Sequence, residues 1–499
     1  MLKSLAVALL VAFAGGVEAQ NPTGTWVGAF EGPNFWGGLE LTLDRTDNTW
    51  AAEARIQMDG RLHSEPVTDV SISDGKVDFS TTWEGRAVRV AGRMEGSRLR
   101  GSLTIVTESN PDRLVSGRLN LLRLPAPASE PILPPPTGSL AVGRSTFYWI
   151  DEKRGEASTI NPSGKRELLV HLWYPTGRHQ NHSPYLEDRE KVIPFLPKDT
   201  VETTATLELA VSTDAPILKG QRYPVIVFSP GKGVNAFHYS SLCQDWASHG
   251  FVVAAVEHPY DAPVVVFPGG RMVSPQPKEA RPRQPVSDLE AQHQAADYRA
   301  RDILTVKDQL ARMNANPDSA FSGSLDLSKL FAAGHSLGGM AAFRACQLDS
   351  SILGCINIDG GYRARPYPAA VDASTIEPVF LWLRRPLYEF TDVQLKQVGL
   401  SRSEFDEEIS MGSRVMRAVG KGGFDVRLPH AGINHMDFSD VPLLRKDISA
   451  KARAIGFLTI EMTRSWVRDF VEASAAGQPL RILTQTSAAY REARITAYK

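Results

Sequence analysis

Leu330-Phe-Ala-Ala-Gly-His-Ser-Leu-Gly-Gly339 decides how this chain folds. The apolar run at its start reads as a buried strand. The residues after it, Met340-Ala-Ala-Phe-Arg-Ala-Cys346, are helix formers, so a helix is expected from about Leu337 to Leu348. Between the two lies Gly334-His-Ser-Leu-Gly338, a G-x-S-x-G. A strand that turns sharply into a helix brings its own backbone together two residues before and two after the apex. Both of those positions must then be small, and both are glycine. The apex residue, Ser336, is held clear of the sheet at a helix N-terminus, where free N–H groups favour negative charge. The alternative, an ordinary glycine-rich strand–helix turn, needs no serine at the apex.

Moving outward, buried strands alternate with helices on both sides of this turn. Upstream are Glu167-Leu-Leu-Val-His-Leu-Trp-Tyr174, Pro224-Val-Ile-Val-Phe-Ser229 and Phe251-Val-Val-Ala-Ala-Val256, then a long amphipathic helix from Ser287 to Met313. Downstream are Cys355-Ile-Asn-Ile-Asp359, Pro378-Val-Phe-Leu-Trp-Leu383 and Phe424-Asp-Val-Arg-Leu428, with a closing helix from Ile455 to Ala473. This alternation predicts an α/β fold, a mostly parallel sheet with helices on both faces, over residues 138–475. Residues 262–285, rich in Pro and Arg, read as an inserted loop, and 476–499 as a C-terminal extension.

Residues 20–124 differ in character. Short alternating segments such as Thr25 to Phe30, Leu39 to Leu43 and Lys76 to Thr81 are separated by turn signals such as Asp74-Gly75 and Glu84-Gly85. They predict a small antiparallel barrel or sandwich. Its aromatics (Trp26, Phe35, Trp36, Trp50, Trp83) form either its core or a ligand pocket. The run Pro125-Ala-Pro-Ala-Ser-Glu-Pro-Ile-Leu-Pro-Pro-Pro136 cannot join a sheet ladder, so 125–137 is expected to be a stiff linker.

An activated serine needs a base, an acid that orients the base, and donors for an oxyanion. In such sheets these groups sit beyond the carboxyl ends of strands. His435, in the loop Pro429-His-Ala-Gly-Ile-Asn-His-Met-Asp437 after the last of these strands, is the candidate base. His430 lies nearer the strand, His238 and His258 precede the serine, and His335 adjoins it and reads as structural. Asp359 ends the strand after the serine's helix and is the candidate acid. One strand later the sequence is Leu383-Arg-Arg-Pro386, with no acid before Glu389. The backbone N–H groups of Leu337 and Lys232 are the candidate oxyanion donors, the latter in the open loop Pro230-Gly-Lys-Gly233. The three cysteines, Cys243, Cys346 and Cys355, have no metal-site spacing. Cys346 and Cys355 either pair or, as the blander expectation, remain buried thiols.

With these residues placed, residues 140–470 resemble the plasma-type platelet-activating factor acetylhydrolase family of α/β-hydrolases. Tyr223-Pro-Val-Ile-Val-Phe-Ser-Pro-Gly-Lys-Gly233, running on to Trp246 through His258, looks like that family's oxyanion strand and the strand after it. Gly334 to Gly339 looks like its nucleophile block, and Gly432-Ile-Asn-His-Met-Asp-Phe-Ser-Asp440 like its histidine block. The resemblance implies an α/β-hydrolase fold and carries the family's active residues onto Ser336, Asp359 and His435, with amide donors at Lys232 and Leu337. It departs at Pro230, where the family usually has His, and at the Gly-Gly-Tyr after Asp359.

Composition sets further bounds. The 499 residues are 42% hydrophobic and 22% charged, with a net charge of −1, which suits a globular protein and gives no basic face for nucleic acid. Lys3, the apolar run Leu5 to Ala14 and Val17-Glu-Ala19 read as a signal peptide over 1–19, so a secreted or periplasmic location is expected. These readings converge on a secreted serine esterase that needs no cofactor and no metal, acts on a small-molecule or lipid ester with a short or modified acyl chain, and touches lipid surfaces transiently. A lipase or polyester hydrolase, and an inactive secreted ligand-binding protein, are the alternatives.

Overall fold

A computed structural model describes residues 22–32, 35–47, 49–58, 61–107, 110–124, 132–156, 164–177, 182–275, 288–361, 379–385, 401–403, 422–428, 432–478 and 493–498. The expected signal peptide, residues 125–131 of the linker, Ser287, Glu389, His430 and the end of the 262–285 loop lie outside these. The chain divides into two units, Met1–Met58 with Leu62–Arg123, and Asp59–Arg61 with Leu124–Lys499.

The first unit is an antiparallel sheet of nine strands: β1 (Gly24–Gly32), β2 (Phe35–Thr46), β3 (Thr49–Met58), β4 (Arg61–Pro66), β5 (Thr68–Ser73), β6 (Lys76–Trp83), β7 (Arg86–Glu95), β8 (Arg98–Thr107) and β9 (Asn110–Arg123). Their order, β4-β3-β2-β1-β9-β8-β7-β6-β5, makes a nearly closed, barrel-like sheet. Both turn signals act as read. Asp74-Gly75 and Glu84-Gly85 have positive φ at both residues, which a two-residue hairpin of matching twist requires. Alternation then sends Val77, Phe79 and Trp83 of β6, with Val88, Val90 and Met94 of β7, into one apolar core. Trp26 and Trp83 belong to that core and Phe35 packs against it, while Trp50 lies under the guanidinium of Arg45. Packing therefore accounts for these aromatics. The side chain of Trp36 is outside the described set.

The second unit is built on a mixed sheet. Its elements in chain order are β10 (Ala141–Gly155), β11 (Lys165–Thr176), β12 (Tyr223–Ser229), α1 (Ser240–Ser248), β13 (Val252–Glu257), α2 (Asp288–Ala315), β14 (Leu325–His335), α3 (Leu337–Leu348), β15 (Gly354–Ile358), β16 (Val379–Arg384), β17 (Gly423–Arg427), α4 (Ala450–Ala475) and β18 (Arg494–Tyr498). In space the strands run β10-β11-β13-β12-β14-β15-β16-β17-β18, with a two-residue strand, Ser212–Thr213, beside β10. The block from β13 to β17 is parallel, whereas β10, β11 and β18 join antiparallel. The chain reverses its direction of travel across the sheet at β12, the kind of switch point at whose strand ends ligands bind in open α/β sheets.

Each central strand is apolar on both sides because helices cover both. Val225 and Val227 of β12, with Leu330 and Ala332 of β14, share a core cluster with Ala300, Ile303 and Val306 of α2 and with Ala341 and Ala345 of α3. On the opposite face Phe228 meets Trp246 of α1, and Phe331 meets Phe470 of α4.

Two expectations are corrected. The 476–499 extension is not outside the sheet, because Arg494-Ile-Thr-Ala-Tyr498 pairs with β17 and covers its edge. Cys346 and Cys355 are not free thiols. The turn after α3 returns the chain at once to β15, which brings their Cα atoms to 6.4 Å, and the two form a disulfide, leaving Cys243 as the buried free thiol. Closing so short a loop restricts the unfolded chain, so reduction is expected to cost about 2–3 kcal/mol. The check is a denaturation midpoint with and without reductant. It is paired with thiol counting in denaturant, which should give one thiol before reduction and three after.

No helix among the described residues is long and apolar enough to cross a membrane.

Candidate active site

Ser336 sits at the apex of the turn between β14 and α3 with φ 55° and ψ −121°, a conformation disfavoured for any residue with a side chain. Its neighbours leave no alternative. A Cβ on Gly334 would lie 2.3 Å from the Gly338 backbone, and one on Gly338 would lie 1.9 Å from the Ser229 carbonyl oxygen. The turn is pinned by the Ser336 amide donating to the Ile358 carbonyl at 2.9 Å.

Three elements deliver the partners. His435 opens a one-turn 3-10 helix, His435–Phe438, after β17. Its Nε2 is 2.8 Å from Ser336 Oγ and its Nδ1 is 2.6 Å from Asp359 Oδ2. Asp359 follows β15, and its side chain is 7% exposed. Burial would raise its carboxyl, but the hydrogen bond with His435 and the charge of Arg385 outweigh that and hold it below the usual carboxylate range. A carboxylate on Nδ1 fixes the tautomer in which Nε2 can accept the serine proton.

Arg385 was missed by the sequence reading. Its Nε donates to Asp359 Oδ2 at 2.6 Å and its backbone N–H to Oδ1 at 3.1 Å. The segment Leu383-Arg-Arg-Pro386 was read only as lacking an acid. A cation one strand beyond a candidate acid is the signal that was available there.

The candidate oxyanion donors lie on two different elements. Leu337 begins α3, and Lys232 lies in the turn after β12. Neither amide has a hydrogen-bond partner among the described residues. The Gly231 amide does have one: it donates to the Tyr239 hydroxyl at 3.0 Å, and that hydroxyl is hydrogen-bonded in turn with His335 Nδ1 at 2.8 Å. His335 is fully buried, its ring 4.5 Å from that of His435 and stacked on Phe438. Burial first, then the neighbouring His435, hold it well below the ordinary histidine value, so it is a neutral floor under the His435 ring.

Donor atoms of His335, Asp359 and His435 also lie within 4.8 Å of one another, a spacing a metal ion would accept. The chemistry disfavours a cation. The Asp359 carboxylate already faces the Arg385 guanidinium, and His335 Nδ1 is committed to Tyr239.

The loop carrying His435 is anchored by two buried carboxylates. Asp437 accepts from the Asn434 amide at 2.7 Å in a capping box. Asp440 accepts from the Ser241 hydroxyl and amide and from the Tyr185 hydroxyl. Burial pushes Asp437 up to about 6 and Asp440 up to about 7. Between about pH 4, where unfolded carboxyls titrate, and these values the folded chain holds more protons than the unfolded one. Their contribution to stability is therefore greatest in acid and falls as pH rises through that window. Asp440→Asn keeps acceptor capacity without the buried charge. It is expected to match the wild type near pH 4 and to exceed it by on the order of 1–3 kcal/mol at pH 8, read from urea midpoints at both pH values.

His258 and His238, set aside by chain order, are not at the serine. Both are buried, which lowers each to about 3. His258 is nonetheless part of a second Ser–His–Asp chain: Ser229 Oγ to its Nε2 at 2.8 Å, and its Nδ1 to Asp302 Oδ2 at 2.8 Å. Ser229 and Asp302 are wholly inaccessible, whereas the His435 side chain is 37% exposed. Accessibility separates a candidate catalytic array from a structural one. Asp302 is also held by Arg166 and Arg154, each at 2.6 Å.

Residues 130–269 match the family described as platelet-activating factor acetylhydrolase, isoform II. That stretch spans the loop Pro230-Gly-Lys-Gly233 and His258 and stops before Ser336. Among relatives, a platelet-activating factor acetylhydrolase of Canis lupus familiaris is 51% identical over 148 residues, 29% of this chain and 32% of that protein. The Cavia porcellus protein of the same name is 28% identical over 206 residues, 38% of this chain and 46% of that protein. A probable 1-alkyl-2-acetylglycerophosphocholine esterase of Arthroderma benhamiae is 25% identical over 253 residues, 46% of this chain and 59% of that protein. The chain thus spans between a third and three-fifths of the length of these curated relatives. Among solved structures, a ferulic acid esterase from Streptomyces cinnamoneus superposes with a TM-score of 0.54 at 25% identity, over 73% of this chain and 98% of that one.

Proposed function

We propose, from a second unit that is platelet-activating factor acetylhydrolase-like, that this chain is a serine esterase of the α/β-hydrolase fold acting on carboxylic esters. The observation that carries the reading is the continuous hydrogen-bonded array Ser336–His435–Asp359, with the serine on an accessible turn. Ser336 Oγ attacks the ester carbonyl carbon while His435 Nε2 takes its proton. The carbonyl oxygen becomes an oxyanion between the Leu337 and Lys232 amides, each worth about 3 kcal/mol in the transition state. Collapse breaks the bond to the alcohol oxygen, His435 returns the proton to that oxygen, and an acyl-serine remains. Water, deprotonated by the same imidazole, repeats the sequence and releases the acid. Asp359, kept ionised by Arg385, holds the imidazole in register and stabilises it when charged.

The proposed substrates carry short or modified acyl groups on a small or lipid alcohol, with transient contact at lipid surfaces and no cofactor. The leader-like start of the sequence and the Cys346–Cys355 disulfide support export to an oxidising compartment. The test is hydrolysis of p-nitrophenyl esters from acetyl to palmitoyl without added metal. Rates that fall with chain length support the short-acyl reading, and rates that rise with it favour a lipase or polyester hydrolase. No turnover on any ester would overturn the esterase reading and bring forward the ligand-binding protein.

A further inference from the structure

Arg299, on α2, takes no part in the array at Ser336, yet its side chain is 4% exposed and ends under the loop after β12. Its Nη1 donates to the Pro230 carbonyl at 2.6 Å and its Nη2 to the Gly231 carbonyl at 3.4 Å, and Asp261 pairs with it. Burial lowers its ionisation to about 10, so it stays charged at neutral pH.

Peptide planarity turns these two contacts into a statement about N–H groups. In a trans peptide the C=O of one residue and the N–H of the next point in opposite directions. In the first peptide plane the Pro230 carbonyl faces Arg299, and the Gly231 N–H is accounted for on the other side by Tyr239. In the second plane the Gly231 carbonyl faces Arg299, so the Lys232 N–H faces away from α2. Gly231 itself lies close to the nucleophile: a Cβ on it would be 3.6 Å from Ser336 Cβ. The same Cβ would press on His335 Nδ1 and the Tyr239 hydroxyl, each at 3.2 Å.

We infer that Arg299 is a positioning residue for ester hydrolysis: by holding the Pro230 and Gly231 carbonyls it aims the Lys232 amide at the developing oxyanion. The inference rests on the proposed esterase activity and deepens it. Without the guanidinium both carbonyls lose their donor, the second peptide plane is free to rotate, and the amide is no longer preorganised. Preorganisation acts on the transition state and leaves ground-state binding nearly alone.

The experiment uses the full chain with Arg299→Met, Arg299→Lys and Lys232→Pro, the last of which deletes the amide hydrogen itself. Three quantities are read on the best p-nitrophenyl ester: kcat/KM, KM, and Ki for a trifluoromethyl ketone, which the serine converts to an anionic hemiketal. Arg299→Met is expected to lower kcat/KM about 30- to 300-fold and to raise Ki by the same factor, with KM within about twofold. Arg299→Lys, with one charge but no fork, is expected to lose about tenfold in both. Lys232→Pro should lose at least as much as Arg299→Met. If Arg299→Met does not fold, Arg299→Lys decides alone. Wild-type kcat/KM and Ki in the folded Arg299 variants, with Lys232→Pro impaired, overturn the role of Arg299 and leave the esterase reading standing. Wild-type values in Lys232→Pro overturn the inference at its root, by removing Lys232 from the oxyanion site.

Discussion

Ser336→Ala is expected to lower kcat/KM for ester hydrolysis by about 10⁴- to 10⁶-fold while leaving the fold intact. The loss is large because the serine contributes the bond-forming atom. Among the described residues its side-chain hydrogen-bond partner is His435, which is partly exposed, so truncation to alanine strands no buried donor there. The backbone strain at φ 55° is the same for alanine as for serine, so stability should change little. His435→Ala should cost a similar factor. The double variant should be no worse than either single one, because nucleophile and base act in one step. Asp359→Asn should lose about 10³- to 10⁴-fold, since the imidazole then rests in the wrong tautomer. Steady-state kinetics with thermal melts on the four proteins checks all of this. If Ser336→Ala retained wild-type kcat/KM, another group would be the nucleophile.

Asp302→Ala should give the largest loss of stability, about 3–5 kcal/mol. The carboxylate is wholly buried and sits between Arg166, itself 1% exposed at the side chain, Arg154 and His258. Removing it takes from Arg166 and Arg154 one of the carboxylates each faces, leaving Glu156 to the first and Asp151 to the second, and leaves a buried imidazole N–H without its acceptor. Burial would raise Asp302, but the charge of Arg166 and the hydrogen bonds of His258 and Arg166 hold it well below the usual carboxylate range. For a lowered folded value, the stabilisation is complete above the unfolded pKa of about 4 and is lost as pH falls below it. The gap between wild type and variant should thus be flat from about pH 5 to 8 and close in stronger acid. Urea midpoints across that range measure it. A gap below about 1 kcal/mol at pH 7 would show that the network is not what holds α2 to the sheet.

What was legible in the sequence has a physical pattern. The turn at Ser336 announces itself because its steric demands are local: the glycines that must be small lie two residues away. His435 and Asp359 stand out as candidates because chemistry restricts such groups to strand ends, which the apolar runs mark. Arg385 stayed hidden because its role depends on a contact between neighbouring strands 26 residues apart in sequence. The Ser229–His258–Asp302 chain was hidden for the same reason, compounded by distance: each member is an ordinary strand-end or helix residue until the sheet order β13-β12-β14 is known. The edge strand Arg494–Tyr498 is five residues long with weak alternation, and only the open edge of β17 makes it a strand. The disulfide runs against the expectation of free thiols for want of geometry, since two cysteines nine residues apart can flank a tight return or a wide one.

The buried Ser229–His258–Asp302 chain bears on how molecules of this protein can be counted. Its connectivity duplicates that of Ser336–His435–Asp359, so a search by interatomic distance alone finds two arrays in one chain. A fluorophosphonate reports reach as well as connectivity, and Ser229 is sealed while Ser336 is partly exposed. Intact-mass measurement should therefore show one adduct per chain, mapped to the peptide that contains Ser336 and absent from Ser336→Ala. A one-to-one titrant of that kind converts any preparation's hydrolysis rate into a turnover number per competent molecule, with the sealed array serving as an internal blank.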